Sequence, residues 1–273
     1  MQPKQLRLAS QTIAYYESAG TGPAILLIHG NSASGRAYQR QLESTLAERH
    51  RIVALDLPGH GDSEPFADPS AYSIPGYAAI VVEAAKALGM EEAVIVGWSL
   101  GGHIVLETHD QLPSARGMMI FGTPPLAFPP AMEEAFLPNP AVNVGFQAEV
   151  SEEDARAYAA SFFASDTPAP TVPFVEDILR TDGRARSGLA ASIQPNGYQD
   201  EVEIVAHLTT PLAVIHGKEE KLVNEAYIRN LTMPTLWRSA IQIIDDAGHA
   251  PQWEQPEAFN ALLEAFCAHP QER

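Results

Sequence analysis

Cysteine is nearly absent from this sequence: Cys267 is the single one among 273 residues, so no disulfide can form within the chain. Its place in an apolar, helix-like stretch predicts a buried small hydrophobic side chain. The N-terminus lacks the apolar core of a signal peptide, and no segment approaches the roughly 18 apolar residues of a membrane span. These absences predict a cytoplasmic protein.

Basic residues are also scarce, because Lys and Arg number 17 against 34 Asp and Glu, a formal net charge of −17 at pH 7. Such a charge repels nucleic-acid phosphates and anionic lipid surfaces, so we expect neither nucleic acid nor a membrane as partner. A neutral small molecule is compatible with it. With 45% hydrophobic residues the chain can bury a large core, which excludes disorder.

Two further kinds of signal are missing from the sequence. No His, Cys and Asp cluster has the spacing of a metal site, and no glycine loop opens a helix in the dinucleotide-binding pattern. We therefore expect neither a metal nor a nucleotide cofactor.

Short β-rich runs alternate with helical patterns, which predicts a mostly parallel sheet flanked by helices, an α/β fold. The expected strands cover residues 6–8, 12–16, 24–29, 52–57, 93–98, 117–121, 211–216 and 240–245. The first two alternate more weakly and suit an antiparallel edge hairpin. Helices are expected at residues 38–48, 74–88, 103–107, 224–232 and 256–268.

The composition changes after residue 123, where two Pro-Pro pairs open a proline-punctuated stretch without a clear parallel-strand signal. Helical patches at 152–163 and 172–181 carry enough aromatic and aliphatic residues to cover an apolar site. We therefore predict an inserted helical cap over residues 124–206 and a core domain formed by residues 1–123 and 207–273.

The run Gly97-Trp98-Ser99-Leu100-Gly101-Gly102 follows an apolar strand and precedes a helix-like stretch. That context is what a nucleophile elbow requires, since its serine has strained backbone and its neighbours must have almost no side chain. The alternative, a glycine-rich turn with an idle serine, has less support once the rest of the site is considered. Ser99 is therefore the predicted nucleophile.

A serine nucleophile needs a histidine base and a carboxylate that orients the histidine, in the chain order Ser, acid, His. His249 follows the last predicted strand on a loop that can reach the C-terminal edge of the sheet, and we predict it to be the base rather than a surface-loop histidine. Glu220 is favoured as the acid over Glu219, because the acid in such chains usually comes three residues after the strand-end glycine. Asp245 and Asp246 are interpreted as turn formers at the strand end.

The oxyanion of a tetrahedral intermediate needs two backbone donors. We predict the amides of Leu100, directly after the nucleophile, and of Asn31, with the Asn31 side chain free to touch substrate. His29 is interpreted as structural, and the segment 56–63, which contains Pro and two Gly, as a scaffold turn.

With these residues assembled, the chain resembles the α/β-hydrolase superfamily over nearly its whole length, in residues 29–31, 56–63, 97–102, 217–220 and 248–249. The resemblance implies an α/β-hydrolase fold with an eight-stranded, mostly parallel sheet and a helical cap. Haloalkane dehalogenases and epoxide hydrolases have aspartate at the elbow, so the serine favours ester-type hydrolysis.

A closer resemblance is to the N-acyl homoserine lactone lactonases of this fold, the quorum-quenching enzymes, in residues 97–103, 122–125, 180–186 and 247–251 and in the glutamate at position 220. It implies attack by Ser99 on the lactone carbonyl, an acyl-enzyme, and hydrolysis by water that His249 activates. It also aligns Tyr158 with a tyrosine that contacts the lactone or amide, and we place Trp98 and Asn31 at the substrate as well.

Two alternatives remain open at this point. A general carboxylesterase acting on small or aryl esters would share every catalytic residue and differ only in the cap. A non-catalytic ligand receptor on the same fold can retain a triad; trapping of an acyl-enzyme analogue by a serine-reactive phosphonate, together with measurable turnover, would exclude it. Acyl-chain length, 3-oxo preference and oligomeric state have no recognisable sequence signal.

Overall fold

A computed structural model describes residues 2–164, 173–194 and 196–272. Within them eight strands form one sheet in the order β1-β2-β4-β3-β5-β6-β7-β8. The strands are β1 (Lys4–Arg7), β2 (Thr12–Glu17), β3 (Ala24–Ile28), β4 (Arg51–Leu55), β5 (Val94–Trp98), β6 (Gly117–Phe121), β7 (Leu212–Gly217) and β8 (Gln242–Ile244). β2 is antiparallel to both β1 and β4, and the other neighbours are parallel. The predicted sheet, with its antiparallel edge hairpin, is confirmed.

Helices flank this sheet and also fill the segment between β6 and β7. They are α1 (Gln39–Leu42), α2 (Leu46–Arg49), α3 (Ile74–Leu88), α4 (Leu100–Glu107), α5 (Met132–Ala135), α6 (Glu152–Ser161), α7 (Phe174–Arg180), α8 (Gly183–Ser192), α9 (Glu201–His207), α10 (Glu225–Arg229), α11 (Pro251–Glu254) and α12 (Pro256–Ala268). Short 3-10 segments occur at Gly35–Tyr38, Pro69–Ala71, Pro140–Phe146 and Trp237–Ser239. The helix predicted at 172–181 begins at Phe174 in the structure, and residue 172 lies outside the described residues.

Local signals set the ends of α3 where the sequence predicts them. Ser73 caps its start, because the Ser73 hydroxyl oxygen accepts a hydrogen bond from the Gly76 amide at 3.1 Å. Gly89 ends the helix with a φ of 64°, a left-handed conformation that favours glycine.

The single helix predicted at residues 38–48 is instead divided between a 3-10 turn, α1 and α2. Ser44 accounts for the break between the two helices. Its hydroxyl donates to the Gln41 carbonyl at 2.8 Å and accepts from the Leu46 amide at 3.2 Å. The side chain thereby competes with the helical hydrogen bonds of the backbone.

The core lies on both faces of the sheet, because every residue of β5, β6 and β7 is buried. Such strands need helices on both sides. Cys267 is buried in α12, as predicted, and burial raises the pKa of its thiol to about 12. Among the described helices, none combines the length and the apolar character that crossing a membrane would require.

Asp177 of α7 connects the segment between β6 and β7 to the loop after β3. Its buried carboxylate accepts hydrogen bonds from the Ser34 hydroxyl at 2.6 Å and from the Arg36 guanidinium, whose Nε lies 3.2 Å away. The loop that carries Asn31 is therefore held against α7 by a buried charged contact.

Candidate active site

Ser99 lies at the turn between β5 and α4 with φ 53° and ψ −120°, a strained conformation for a residue with a side chain. Its amide donates to the Phe121 carbonyl at 2.9 Å, which fixes the turn against β6. A Cβ atom on Gly97 would lie 2.3 Å from the Gly101 carbonyl oxygen, and one on Gly101 would lie 2.2 Å from that of Ile28. Both glycines are therefore required for this close approach of backbone.

His249 and Glu220 form a buried pair beside the elbow. The Nδ1 atom of His249 donates to Oε2 of Glu220 at 2.8 Å, and the Leu222 amide donates to Oε1 at 2.8 Å. The two side chains are 3% and 2% exposed. Burial by itself would raise the pKa of the Glu220 carboxyl, but the adjacent His249 ring and these hydrogen bonds hold that pKa below its usual value. The carboxylate keeps the Nδ1 proton in place and leaves Nε2 as the atom that can take a proton.

The neighbouring carboxylates have other surroundings. Glu219 is exposed, and its amide donates to the Ala247 carbonyl at 2.8 Å. Asp245 is 72% exposed and pairs with Lys218 at 2.6 Å, while Asp246 is exposed with a φ of 54°. The turn after β7 thus brings Glu220, and not these residues, to His249.

Trp98 holds the loop that carries His249 through a hydrogen bond to its backbone. The Trp98 indole donates to the His249 carbonyl oxygen at 2.7 Å and packs edge-on against Phe162 and Phe174. It is 1% exposed and does not line the cavity in front of Ser99. The sequence places Trp98 at the substrate; the structure corrects this, because the Trp98 ring packs against Phe162 and Phe174 and is not part of the cavity lining.

Two backbone amides near Ser99 have the character of oxyanion donors. Leu100 is the first residue of α4, so its N–H has no acceptor within the helix. Neither this amide nor that of Asn31 has a hydrogen-bond partner among the described residues. The sequence suggests a free Asn31 side chain. The structure shows otherwise, because its Nδ2 donates to the Gly145 carbonyl at 2.6 Å.

His29 is held in a neutral, structural form. Its Nδ1 donates to the Gly30 carbonyl at 2.7 Å and its Nε2 accepts from the Leu57 amide at 2.9 Å. Burial lowers the pKa of the ring well below its usual value. The segment 56–63 is likewise a turn, in which the Asp56 carboxylate accepts from the Asp62 amide at 2.9 Å.

A cavity of about 660 Å³, including its mouth, lies in front of Ser99. Its polar lining consists of Asn31, Ser99, His103, Tyr158 and His249. Most of its apolar wall comes from the segment between β6 and β7: Leu126, Met132, Phe136, Val142, Phe146, Leu189 and Ile193. The arrangement suits a small, mostly apolar ligand with a polar end at Ser99.

Tyr158 of α6 lies in this lining with its hydroxyl unpartnered among the described residues. A Cβ atom on Gly145 would lie 2.7 Å from that hydroxyl and 3.0 Å from Nδ2 of Asn31. A glycine at position 145 therefore leaves room for the Tyr158 hydroxyl and the Asn31 amide beside its backbone. Burial raises the pKa of the Tyr158 phenol, which keeps it a hydrogen-bond donor.

Sequence reasoning missed one polar pair at the cavity, His103 of α4 and the buried Glu201 of α9. Nδ1 of His103 lies 2.9 Å and 2.8 Å from the two carboxylate oxygens. The position of His103 four residues after Ser99, on the elbow helix, is the signal that could have drawn attention to it. Among the described residues, no group of three or more His, Cys, Asp or Glu side chains is arranged to hold a metal ion.

Comparisons with known proteins find lactonases and esterases of the same fold. A crystal structure of a mutant of the N-acyl homoserine lactonase AidH, complexed with N-hexanoyl homoserine lactone, superposes with a TM-score of 0.94 at 36% identity and covers 100% of both chains. The predicted resemblance to these lactonases is thereby confirmed. The pimeloyl-acyl-carrier-protein methyl ester esterase of Xylella fastidiosa is 30% identical over 93% of this chain and 98% of its own.

More distant structures share the fold alone. An esterase from Exiguobacterium antarcticum superposes with a TM-score of 0.78 at 16% identity, over 98% of this chain and 100% of its own. The family model described as the alpha/beta hydrolase family matches residues 25–262. The chain belongs to the alpha/beta hydrolase family.

Proposed function

We propose that this protein is a serine hydrolase that opens the lactone ring of N-acyl homoserine lactones, with Ser99 as nucleophile, His249 as base and Glu220 as the acid that orients it. The observation that carries the proposal is the buried His249–Glu220 pair at 2.8 Å, whose histidine lines the same apolar-walled cavity as Ser99. The 36% identity to a lactonase across the whole chain supports the choice of substrate.

In the first half of the reaction the Ser99 hydroxyl attacks the lactone carbonyl carbon while Nε2 of His249 takes its proton. The amides of Leu100 and Asn31 donate to the oxyanion, and each such donor typically contributes about 3 to 4 kcal/mol to transition-state stabilisation. The ring C–O bond then breaks, and His249 returns the proton to the departing oxygen. The product is an ester of Ser99 that still carries the former ring oxygen as a hydroxyl.

In the second half His249 takes a proton from water, whose oxygen attacks the acyl-enzyme. The bond to Ser99 breaks, the proton returns to the serine oxygen, and the open N-acyl homoserine leaves. Because the first leaving group stays attached, it can re-close the ring, so water must compete with an internal hydroxyl. In this proposal the described part of residues 124–206 forms a cap that holds the acyl tail.

A second candidate is hydrolysis of small esters by the same three residues. The observation in its favour is the 30% identity to a methyl ester esterase, which covers 98% of that enzyme. The two functions differ in which part of the substrate the cavity wall recognises and not in the chemistry at Ser99.

The test is hydrolysis of N-acyl homoserine lactones of several chain lengths, followed by proton release, with p-nitrophenyl esters in parallel. Efficient lactone opening that is lost in Ser99→Ala supports the proposal. Turnover of the aryl esters alone supports the second candidate. Labelling of Ser99 by a serine-reactive phosphonate, without turnover of either class, would leave a ligand receptor as the better interpretation.

A further inference from the structure

His103 and Glu201 form a second histidine–carboxylate pair at the cavity, outside the proposed catalytic residues. His103 lies one helical turn after Ser99 on α4 and lines the cavity, whereas Glu201 is 0% exposed behind it. The pair joins the elbow helix to α9 through two residues that are 98 positions apart in the chain.

The hydrogen bonds around Glu201 determine how the His103 ring is protonated. A fully buried carboxylate is costly unless donors surround it. Among the described residues two donors reach Glu201, the Leu126 amide at 2.7 Å and Nδ1 of His103 at 2.8 Å. Both bonds require the carboxylate to accept, so the ring carries its proton on Nδ1, and in the neutral ring Nε2 has a free lone pair.

That Nε2 atom has no hydrogen-bond partner among the described residues. Only 8% of the surface of His103 is exposed, so bulk water does not surround the ring freely. Because His103 lines the cavity, an acceptor there without a protein partner is a position where a ligand donor could bind.

We propose that Nε2 of His103, oriented by Glu201, accepts a hydrogen bond from a donor group of the substrate. The inference rests on the proposed function, because N-acyl homoserine lactones offer two such donors: the amide N–H, and a hydroxyl on carbon 3 of the acyl chain where one is present. A 3-oxo group has no donor. His103 thus acts as a specificity-determining residue, and Glu201 as the residue that positions it.

A site built to accept a hydrogen bond discriminates against a substrate that cannot donate one, since its own polar atom is then left unpaired. For one neutral hydrogen bond we expect a preference of roughly tenfold in kcat/KM. The experiment has two arms. The first compares the amide substrate with the analogue whose amide N–H is replaced by an ester oxygen, and the second compares 3-hydroxyacyl with 3-oxoacyl homoserine lactones of equal length.

The decisive variant is His103→Asn. The asparagine Nδ2 lies close to where Nδ1 of histidine lies, so it can still donate to Glu201, but nothing replaces Nε2. Each ratio is internal to one protein, so a loss of folded material cancels. The matched control is His207→Asn on α9, because exposed His207 also lies near a carboxylate, 3.6 Å from Glu203, away from the cavity.

We expect the parent to favour the donor-bearing substrate about tenfold in at least one arm, and His103→Asn to bring that ratio close to one while His207→Asn leaves it unchanged. The arm that responds identifies the donor. If the parent opens lactones but shows no preference, or keeps its preference in His103→Asn, this inference alone is overturned. If the parent opens no lactone, the proposed function is wrong, and this inference, which rests on it, is wrong as well.

Discussion

Gly122 lies directly against the ring of His249. A Cβ atom at position 122 would lie 2.7 Å from Cε1 and 2.9 Å from Nδ1 of that ring. Gly122 follows β6, whereas His249 follows β8. The loop after β6 therefore makes room for the histidine ring by having no side chain at position 122.

Gly122→Ala is therefore expected to displace the His249 ring and to lower kcat/KM by roughly 100-fold, the usual effect of misplacing a catalytic group by about 1 Å. Gly89→Ala is the matched control, because φ is 60° at Gly122 and 64° at Gly89, while a Cβ at position 89 meets no atom within 4 Å. Both variants gain similar backbone strain, so comparing their activity isolates the contact with the ring. Equal activity in the two variants would contradict the prediction.

Glu220→Gln is expected to lower kcat by roughly 1,000- to 10,000-fold, because an amide no longer fixes the Nδ1 proton of His249. Glu219→Gln is the control, since that side chain is exposed next to it on the same turn. Steady-state hydrolysis of the best substrate measures both. A comparable loss in both variants would point to damage to the turn rather than to the loss of the acid.

The same carboxylate should make stability depend on pH. Its pKa in the folded protein lies below the usual 4.5: burial opposes this, but the His249 ring and the hydrogen bonds outweigh burial. The folded state therefore binds this proton less readily than the unfolded state, and the stabilisation is present above about pH 4.5 and lost as the pH falls through the lower folded value. Urea unfolding at a series of pH values should show the free energy difference between parent and Glu220→Gln shrinking below pH 4.5. A difference that grows with acid would reverse the assigned direction.

Asp177→Ala is expected to lower the free energy of unfolding by about 2 to 3 kcal/mol, because it leaves the partly exposed Arg36 and the buried Ser34 without their shared acceptor. Glu176→Ala removes the neighbouring carboxylate, which is half exposed and 3.1 Å from the same guanidinium. Its effect should stay within about 1 kcal/mol, as for other surface pairs. Urea denaturation of the three proteins provides the measurement, and equal losses would show that burial of Asp177 has no special role.

Tyr158→Phe is expected to lower kcat/KM for lactones by roughly 10-fold with little change in stability, because the hydroxyl has no partner to lose among the residues that the structure describes. Tyr198→Phe should behave in the opposite way. Its hydroxyl donates to the Ala127 carbonyl at 2.9 Å, so about 1 kcal/mol of stability should be lost without an effect on turnover. Thermal unfolding and lactone hydrolysis of both variants separate the two roles.

The parts of this molecule that sequence predicts well are those whose causes are local. The β5–turn–α4 pattern needs two glycines within five residues, and α3 has its cap and its terminating glycine beside it. Hydrophobic runs likewise locate the strands, because a strand covered on both faces must be apolar throughout. Ser44 shows the limit even here, since one hydroxyl was enough to divide a predicted helix.

Contacts between distant segments could not be predicted in this way. The Asn31 side chain is hydrogen-bonded to the Gly145 carbonyl, 114 residues away, and the Glu201 carboxylate is hydrogen-bonded to His103, 98 residues away. Nothing within a few positions of either residue indicates such a partner. The position of Trp98 outside the cavity lining was missed for the same reason, because its acceptor belongs to the His249 loop.

Trp98 gives this molecule an optical reporter of its own histidine loop. The indole is hydrogen-bonded to the His249 carbonyl oxygen, and the centroids of the two rings lie 5.8 Å apart. Indole fluorescence responds to nearby charge and to a change of hydrogen bonding, so emission from this residue registers both the charging of the imidazole and any movement of the loop. Trp237 and Trp253 also emit, so a variant that keeps Trp98 as its single indole would let light report on this loop directly.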